Sequence, residues 1–284
     1  MDTTIDRVGG KPTHLMNPIF ESDFHVHTHH SPCAKDKFNS HPLRILAHAE
    51  RLGIKVIGFA DHFAQRPEET IPFYESCGPP IIDGLREELR AINARVQVLV
   101  GCEADQVALD SLTIDATYAA QLDFVVVSAS HFHLPGVQQP SSLEPRVVAE
   151  FFLAFIRAAV DHEFVSIIAH PFFTPGNLLG KPNAYMSRIQ DAELYEIAEL
   201  ALENQVAMEV NGHLDRQPGY LHSIKRFFQI CREVGVKLTF GSDAHRLQSL
   251  GSSPALEDAI SFLELGPDDF LSAGELLSKS WFAT

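Results

Sequence analysis

Apolar runs of strand length recur along the chain, separated by stretches whose hydrophobic positions repeat at helical spacing. ESDFHVHT (21–28) reads as a first strand, followed by a helix near 41–52. KVIGFA (55–60) reads as a second strand, with a Pro-rich loop at 66–80 and a helix near 82–94. VQVLVGCEA (96–104) and LDFVVVSAS (122–130) are the third and fourth, and a helix over 144–162 follows. FVSIIAH (164–170), QVAMEVN (205–211) and KLTFGSDAH (237–245) complete the set, with helices predicted near 184–204 and 220–234. The runs lack polar alternation, as strands buried on both faces do, and helices between them imply a parallel sheet. A doubly wound sheet would place a Gly-rich phosphate turn after its first strand, but here that strand runs into HTHHSPCA, so a barrel is favoured.

Each run closes on a side chain able to bind a metal or orient a substrate: His25 and His27, His62, Glu103, His131, His170, Asn211, then Asp243 and His245. Parallel strands of a barrel point their C-terminal ends at one face, so these groups are expected to converge there. His25 and His27 are two apart on a strand and face one side, a chelating pair, with Asp23 expected to orient one ring. Glu103 is the first carboxylate after its strand and is able to bridge two cations. Asp243 and His245 repeat the two-residue spacing, as do Glu209 and Asn211. Of the latter pair, Asn211 is favoured as a substrate or supporting contact. Asp61 is expected to point away from the site, and His29 and His30 are taken as loop residues near its mouth. His14, His41, His48, His162, His213 and His222 are read as surface or packing residues, with His213 closest to the predicted mouth.

Composition narrows the classes. A chain of 284 residues, 45% hydrophobic, is long enough for one barrel domain spanning 1–284, with residues 1–20 as a polar lead-in broken by Gly9, Gly10, Pro12 and Pro18. No run is apolar and long enough to span a bilayer, and the N-terminal residues contain no signal-peptide core, so the expectation is a cytoplasmic protein without membrane partners. Its four cysteines are scattered, which suits a reducing compartment. A net charge of −15 without a Lys/Arg cluster excludes an extended nucleic-acid surface. The oligomeric state is not legible.

The segments DFHVHT, FADH, GCE, SASH, AHP, EVN and GSDAH, in this order over about residues 22–246, resemble the PHP (polymerase and histidinol phosphatase) family of metal-dependent phosphoesterases. The resemblance implies a distorted seven-stranded (β/α)7 TIM-like barrel and a cluster of two to three divalent ions (Zn, Mn or Fe). It assigns His25, His27, Glu103 and Asp243 to the first ion, with Glu103 bridging to a second held by His131 and His170. His62 and His245 would hold a third with a residue of the loop after the His25/His27 pair. Counting along that loop places Cys33 where many members carry histidine; a thiol facing away is the other reading.

The implied chemistry is attack by metal-activated hydroxide on a small phosphomonoester, such as a sugar, nucleotide or histidinol phosphate. Glu103, Asp243 and His245 would be the catalytic groups, and Arg246, Arg216 and Arg66 the candidates for holding phosphate. Two alternatives stand beside it: an amidohydrolase acting on C–N or C–O bonds, and a metal-binding module without activity.

Overall fold

The computed structural model describes residues 17–214 and 218–279. In chain order its first elements are β1 (Ser22–Val26), α1 (Pro42–Leu52), β2 (Val56–Phe59), α2 (Pro79–Arg90), β3 (Gln97–Val100), β4 (Cys102–Ala108), β5 (Ser111–Leu112) and α3 (Ala116–Ala119). There follow β6 (Val125–Ser128), α4 (Pro145–Val160), β7 (Ile167–Ala169), α5 (Pro182–Met186), α6 (Asp191–Glu203), β8 (Ala207–Asn211), α7 (Pro218–Val234), β9 (Leu238–Gly241), α8 (Pro254–Leu263) and α9 (Ala273–Ser278).

The strands form two sheets, ordered β1-β2-β3 and β5-β4-β6-β7-β8-β9, all parallel except the short β5. Two seams join them. At one, a parallel bridge links His62 to Glu103, with Glu103 N–H donating to Asp61 O (2.9 Å) and Phe63 N–H to Glu103 O (2.8 Å). At the other, Val26 bridges Ala244, and Asp243 N–H donates to His25 O (2.8 Å). Single bridges in place of full ladders are the distortion of this seven-position barrel. Both seams lie where ligand-type residues leave the strands.

The third apolar run is not one strand. It breaks at Gly101, where a Cβ would stand 2.6 Å from Phe124 O and 2.7 Å from the Phe124 ring. Only glycine admits that approach, and the chain turns there from one sheet to the other. The helix expected over 184–204 is likewise two, α5 and α6. Gln190 N–H donates to Glu193 Oε2 (2.8 Å), capping a new start at Asp191. The helix expected from 82 begins earlier, because Pro79 and Pro80 occupy its first turn, where no N–H is needed.

Inside the barrel, Phe24, Val56, Leu99, Phe124, Val126, Ile167 and Ala207 form an apolar floor, closed from below by Leu271, Ala273 and Leu276 around α9. The larger core lies between strands and helices. Toward the C-terminal strand ends the inward positions turn polar: Ser128 on β6, Glu209 and Asn211 on β8. Packing thus fills the lower barrel and leaves the upper end for chemistry. Among the described residues no helix is long and apolar enough to cross a membrane.

Candidate metal centre

Glu103 stands at the centre of the upper barrel, 1% exposed, with its two oxygens facing different imidazoles. Oε2 lies 3.4 Å from His25 Nε2, 3.6 Å from His27 Nε2 and 2.9 Å from His62 Nδ1. Oε1 lies 3.6 Å from His131 Nε2 and 3.4 Å from His170 Nε2. Asp243 Oδ1 closes the first set, 3.1 Å from His27 Nε2, 3.9 Å from His25 Nε2 and 3.3 Å from His245 Nδ1. A third grouping brings Cys33 within ligand-sharing distance of His27, His62 and His245. Nitrogen and oxygen ligands about 2.0–2.2 Å from one tetrahedral cation sit about 3.3–3.5 Å from each other. The His25–Glu103, His170–Glu103 and His245–Asp243 separations are of that size, and His27–Glu103 and His131–Glu103, at 3.6 Å, lie just beyond it.

The donor set fits metal ions on a second ground. His25 Nε2, His27 Nδ1, His62 Nδ1, His131 Nδ1 and Glu103 Oε1 are buried without a hydrogen-bond partner. Leaving one such atom unsatisfied costs about 1–3 kcal/mol, and three of these, His25 Nε2, His62 Nδ1 and Glu103 Oε1, meet around the Glu103 carboxylate. The titration of the groups carries the same message. Burial opposes ionisation of Glu103 and Asp243, yet the surrounding imidazoles hold both carboxyls well below their usual range. Burial also opposes charging of His25 and His62, yet Glu209 and Glu103 raise the former and Glu103 and Cys33 the latter, both well above normal. His27 is lifted to about 10 against its burial by Cys33 and Asp243, and the Cys33 thiol is brought down, against burial, to about 2 by His27, His245 and His62. The buried anions favour positive charge between them, whether carried by imidazolium protons or by cations.

Metal ligation requires neutral imidazoles, so ions must displace those protons. Loading the metal-free protein near pH 7 is expected to release more than about one proton per chain, with affinity rising as pH rises. Calorimetry in two buffers of different ionisation enthalpy measures this. Loading without proton release contradicts the picture.

Around the ligands stands a second layer. Glu209 on β8 accepts from His25 Nδ1 through Oε1 (2.7 Å), and through Oε2 from His170 N–H (2.9 Å) and Asn211 Nδ2 (2.7 Å). It thereby fixes the His25 tautomer with Nε2 free toward Glu103. Gly241 on the adjacent β9 makes room for it, since a Cβ there would meet Glu209 Oε1 at 2.0 Å and His25 Cβ at 2.6 Å. Gly241→Ala is therefore expected to cost about 1–3 kcal/mol and to lower metal content, read by thermal unfolding and elemental analysis. Unchanged values in both would count against a tight Glu209–His25 fit. Ser130 Oγ pairs with His170 Nδ1 (2.8 Å), and Asp105 Oδ1 lies 2.8 Å from His131 Nδ1.

His170 and Asp243 both adopt left-handed backbone, φ 29° and 51°. Such strain in non-glycine residues persists where surrounding contacts over-determine it. Glu209 holds the first, while Tyr220 OH and Tyr185 OH donate to the carbonyls of Pro171 and Phe172 just beyond (2.7 and 2.9 Å).

The structure brings His25, His27, Cys33, His62, Glu103, His131, His170, Asp243 and His245 to one place, and it rearranges several supporting roles. Asn211 is 1% exposed and spent at both ends, on Glu209 and on His213 N–H (2.8 Å), so it orients neighbours and does not face a substrate. Asp23 does not orient a ring: its Oδ1 accepts from Ser242 N–H (2.9 Å) and its Oδ2 faces Gly251 N–H (3.5 Å). Arg66 pairs with Glu69 and Asp115 beside a separate shallow depression. Arg216 lies outside the described residues.

A cavity of about 680 Å³ opens over the centre, lined by Lys35, Phe73, His133, Phe173, His213 and Arg246 besides the ligands. It fits a small molecule. Sequence reasoning missed Lys35 and His133, which carry no motif, and underrated His213, whose Nε2 lies 2.8 Å from Asp243 Oδ2 and whose ring stacks on Phe173. It also missed Asp105, although the two-residue spacing from Glu103 puts both on the inner face of β4 and was a usable signal.

Several known proteins are similar to this chain. A probable phosphatase of Shewanella loihica is 28% identical over 237 residues, 82% of this chain and 81% of that protein. A probable phosphatase of Syntrophotalea carbinolica is 23% identical over 255 residues, 89% and 91% of the respective chains. Among solved structures, histidinol phosphate phosphatase of Lactococcus lactis, complexed with zinc, L-histidinol and phosphate, superimposes with a TM-score of 0.60 at 17% identity. That alignment covers 89% of this chain and 95% of the other, and it shows a shared fold. The PHP domain matches residues 23–213, which include HxH, FADH, GCE, SASH, AHP and EVN, and the chain belongs to the PHP domain family.

Proposed function

We propose that this chain hydrolyses small phosphomonoesters at a centre of two to three divalent ions (Zn, Mn or Fe). The observation that carries the reading is Glu103, whose two oxygens face two separate imidazole sets beneath a cavity with Lys35 and Arg246 on its wall. Its probable-phosphatase relatives over most of the chain point the same way.

His25, His27, Glu103 and Asp243 would hold one ion; Glu103, His131 and His170 a second; His62, His245 and Cys33 a third. When bound, the ions supply charge that acidifies water and neutralises phosphoryl oxygens. The chain's own groups do the rest. Lys35 and Arg246 are exposed at the mouth and draw the phosphate in. Phe73 and Phe173 flank the cavity with apolar surface against which the alcohol portion packs. The His213 Nε2–Asp243 Oδ2 contact is a place to hold the proton taken from water and return it to the leaving oxygen.

The bridging position is filled by a carboxylate from the chain itself, and the lysine on the cavity wall, Lys35, is exposed at its rim, which disfavours an amidohydrolase built on a modified lysine. A panel of phosphomonoesters, including L-histidinol phosphate, a sugar phosphate and a nucleotide, tests the reading by phosphate release. Turnover of amides or lactones with none of phosphoesters would replace it.

A further inference from the structure

His29 and His30 turn away from the centre. Neither lines the cavity; both reach α2, where Glu88 waits. His29 Nε2 lies 3.0 Å from both Glu88 oxygens, and His30 Nε2 lies 3.2 Å from Oε1. His30 Nε2 is buried and has no hydrogen-bond partner, because its approach to Glu88 lacks donor geometry. The three ligand atoms lie within 4.8 Å of one another.

The surroundings are built for this. Gly84 precedes Glu88 by one turn on the same face of α2, and a Cβ there would stand 3.0 Å from His30 Cε1. The glycine, unfavourable inside a helix by about 1 kcal/mol, leaves a seat for that imidazole. The loop backbone is pinned on the other side. His29 N–H donates to Ser40 O (2.9 Å), His30 N–H to Thr28 Oγ1 (3.1 Å), and Thr28 is itself held by the buried Asp61 carboxylate (2.6 and 2.5 Å). His41 caps α1 by accepting Leu43 N–H at Nδ1 (3.3 Å), which leaves the proton on Nε2, 3.6 Å from Glu88 Oε2. That tautomer keeps His41 outside the ligand set and aims it at the carboxylate, as outer partners of metal ligands are aimed.

We propose that His29, His30 and Glu88 form a further site for a divalent transition metal such as Zn(II), separate from the barrel centre, that clasps the 28–40 loop to α2. Two imidazoles and one carboxylate make a three-ligand zinc set with a fourth position open to water, since all three side chains are part-exposed. The loop so clasped carries Cys33 and Lys35, so the site would stiffen a wall of the cavity. The proposal does not depend on which reaction the centre performs.

The test is Zn(II) binding to the full chain whose barrel centre is already loaded, with bound metal counted by elemental analysis after gel filtration. The unaltered protein is expected to take one equivalent beyond the centre. Glu88→Gln and His30→Ala should each weaken that equivalent by more than the ~10–100-fold that loss of an outer-shell partner costs. Asp243→Asn should keep it while losing metal from the centre. Circular dichroism checks that each variant is folded, and Glu88→Gln, at a part-exposed helix position, decides if His30→Ala is not. An additional equivalent that survives Glu88→Gln, or its absence from the unaltered protein, would overturn the site.

Discussion

Glu103→Gln is expected to lower kcat/KM for phosphoester hydrolysis by about 10³-fold or more and to strip metal from the centre, with the fold intact. The substitution keeps volume and backbone, so the 1% exposed position stays filled. It removes the one anion that faces both imidazole sets. An amide oxygen satisfies one side weakly, and the amide nitrogen turns a donor toward ligand nitrogens on the other. Two cations held by the two sets would then lack the negative charge that the carboxylate places between them. Elemental analysis, circular dichroism and phosphate release on one preparation read the three parts. Full metal occupancy in a folded Glu103→Gln protein would remove the bridging role.

Glu209→Gln is expected to act through a proton. Glu209 Oε2 already accepts from His170 N–H and Asn211 Nδ2, so the glutamine oxygen must take that position. Its NH₂ then faces His25 Nδ1, where the carboxylate Oε1 had accepted at 2.7 Å. Nδ1 becomes the acceptor and Nε2 the protonated atom, aimed at Glu103 and closed to a metal. Outer-shell changes of this kind cost about 10–100-fold in metal affinity. Activity should fall in proportion and recover in part at high metal concentration, which a purely structural lesion would not allow. Wild-type metal affinity in Glu209→Gln would show that the tautomer is not set there.

Much of this was legible because a strand end is a rigid position. Apolar runs located β1, β2, β6, β7, β8 and β9, and the groups closing them, His27, His62, His131, His170, Asn211 and Asp243, are ones that the barrel brings inward. Glu209 was harder to rank. In sequence it sits two residues before Asn211, and the pair looks symmetrical; only the neighbouring strands show that Gly241 vacates space for the carboxylate and that His25 and His170 present donors to it. Asn211, favoured as a substrate or supporting contact, hydrogen-bonds Glu209 and His213 N–H. Gly101 gave no warning of the break between β3 and β4, because the reason for it is the Phe124 ring, 23 positions later. Lys35, His133 and Phe173 lie on loops whose course depends on tertiary contacts and not on local periodicity. Of the arginines, Arg246 lines the cavity, while an exposed Arg66 with two carboxylates nearby has no cause to turn toward it.

The claim that these strand ends form a metal centre for phosphoester hydrolysis is tested most directly by metal content and phosphate release measured together. The unaltered chain, loaded with Zn or Mn, should hold about two to three ions at the centre and release phosphate from at least one small phosphomonoester. Glu103→Gln, prepared in parallel, should lose both. A fully loaded chain that releases no phosphate from any phosphomonoester, or a metal-depleted Glu103→Gln protein that releases it at the original rate, would contradict the account.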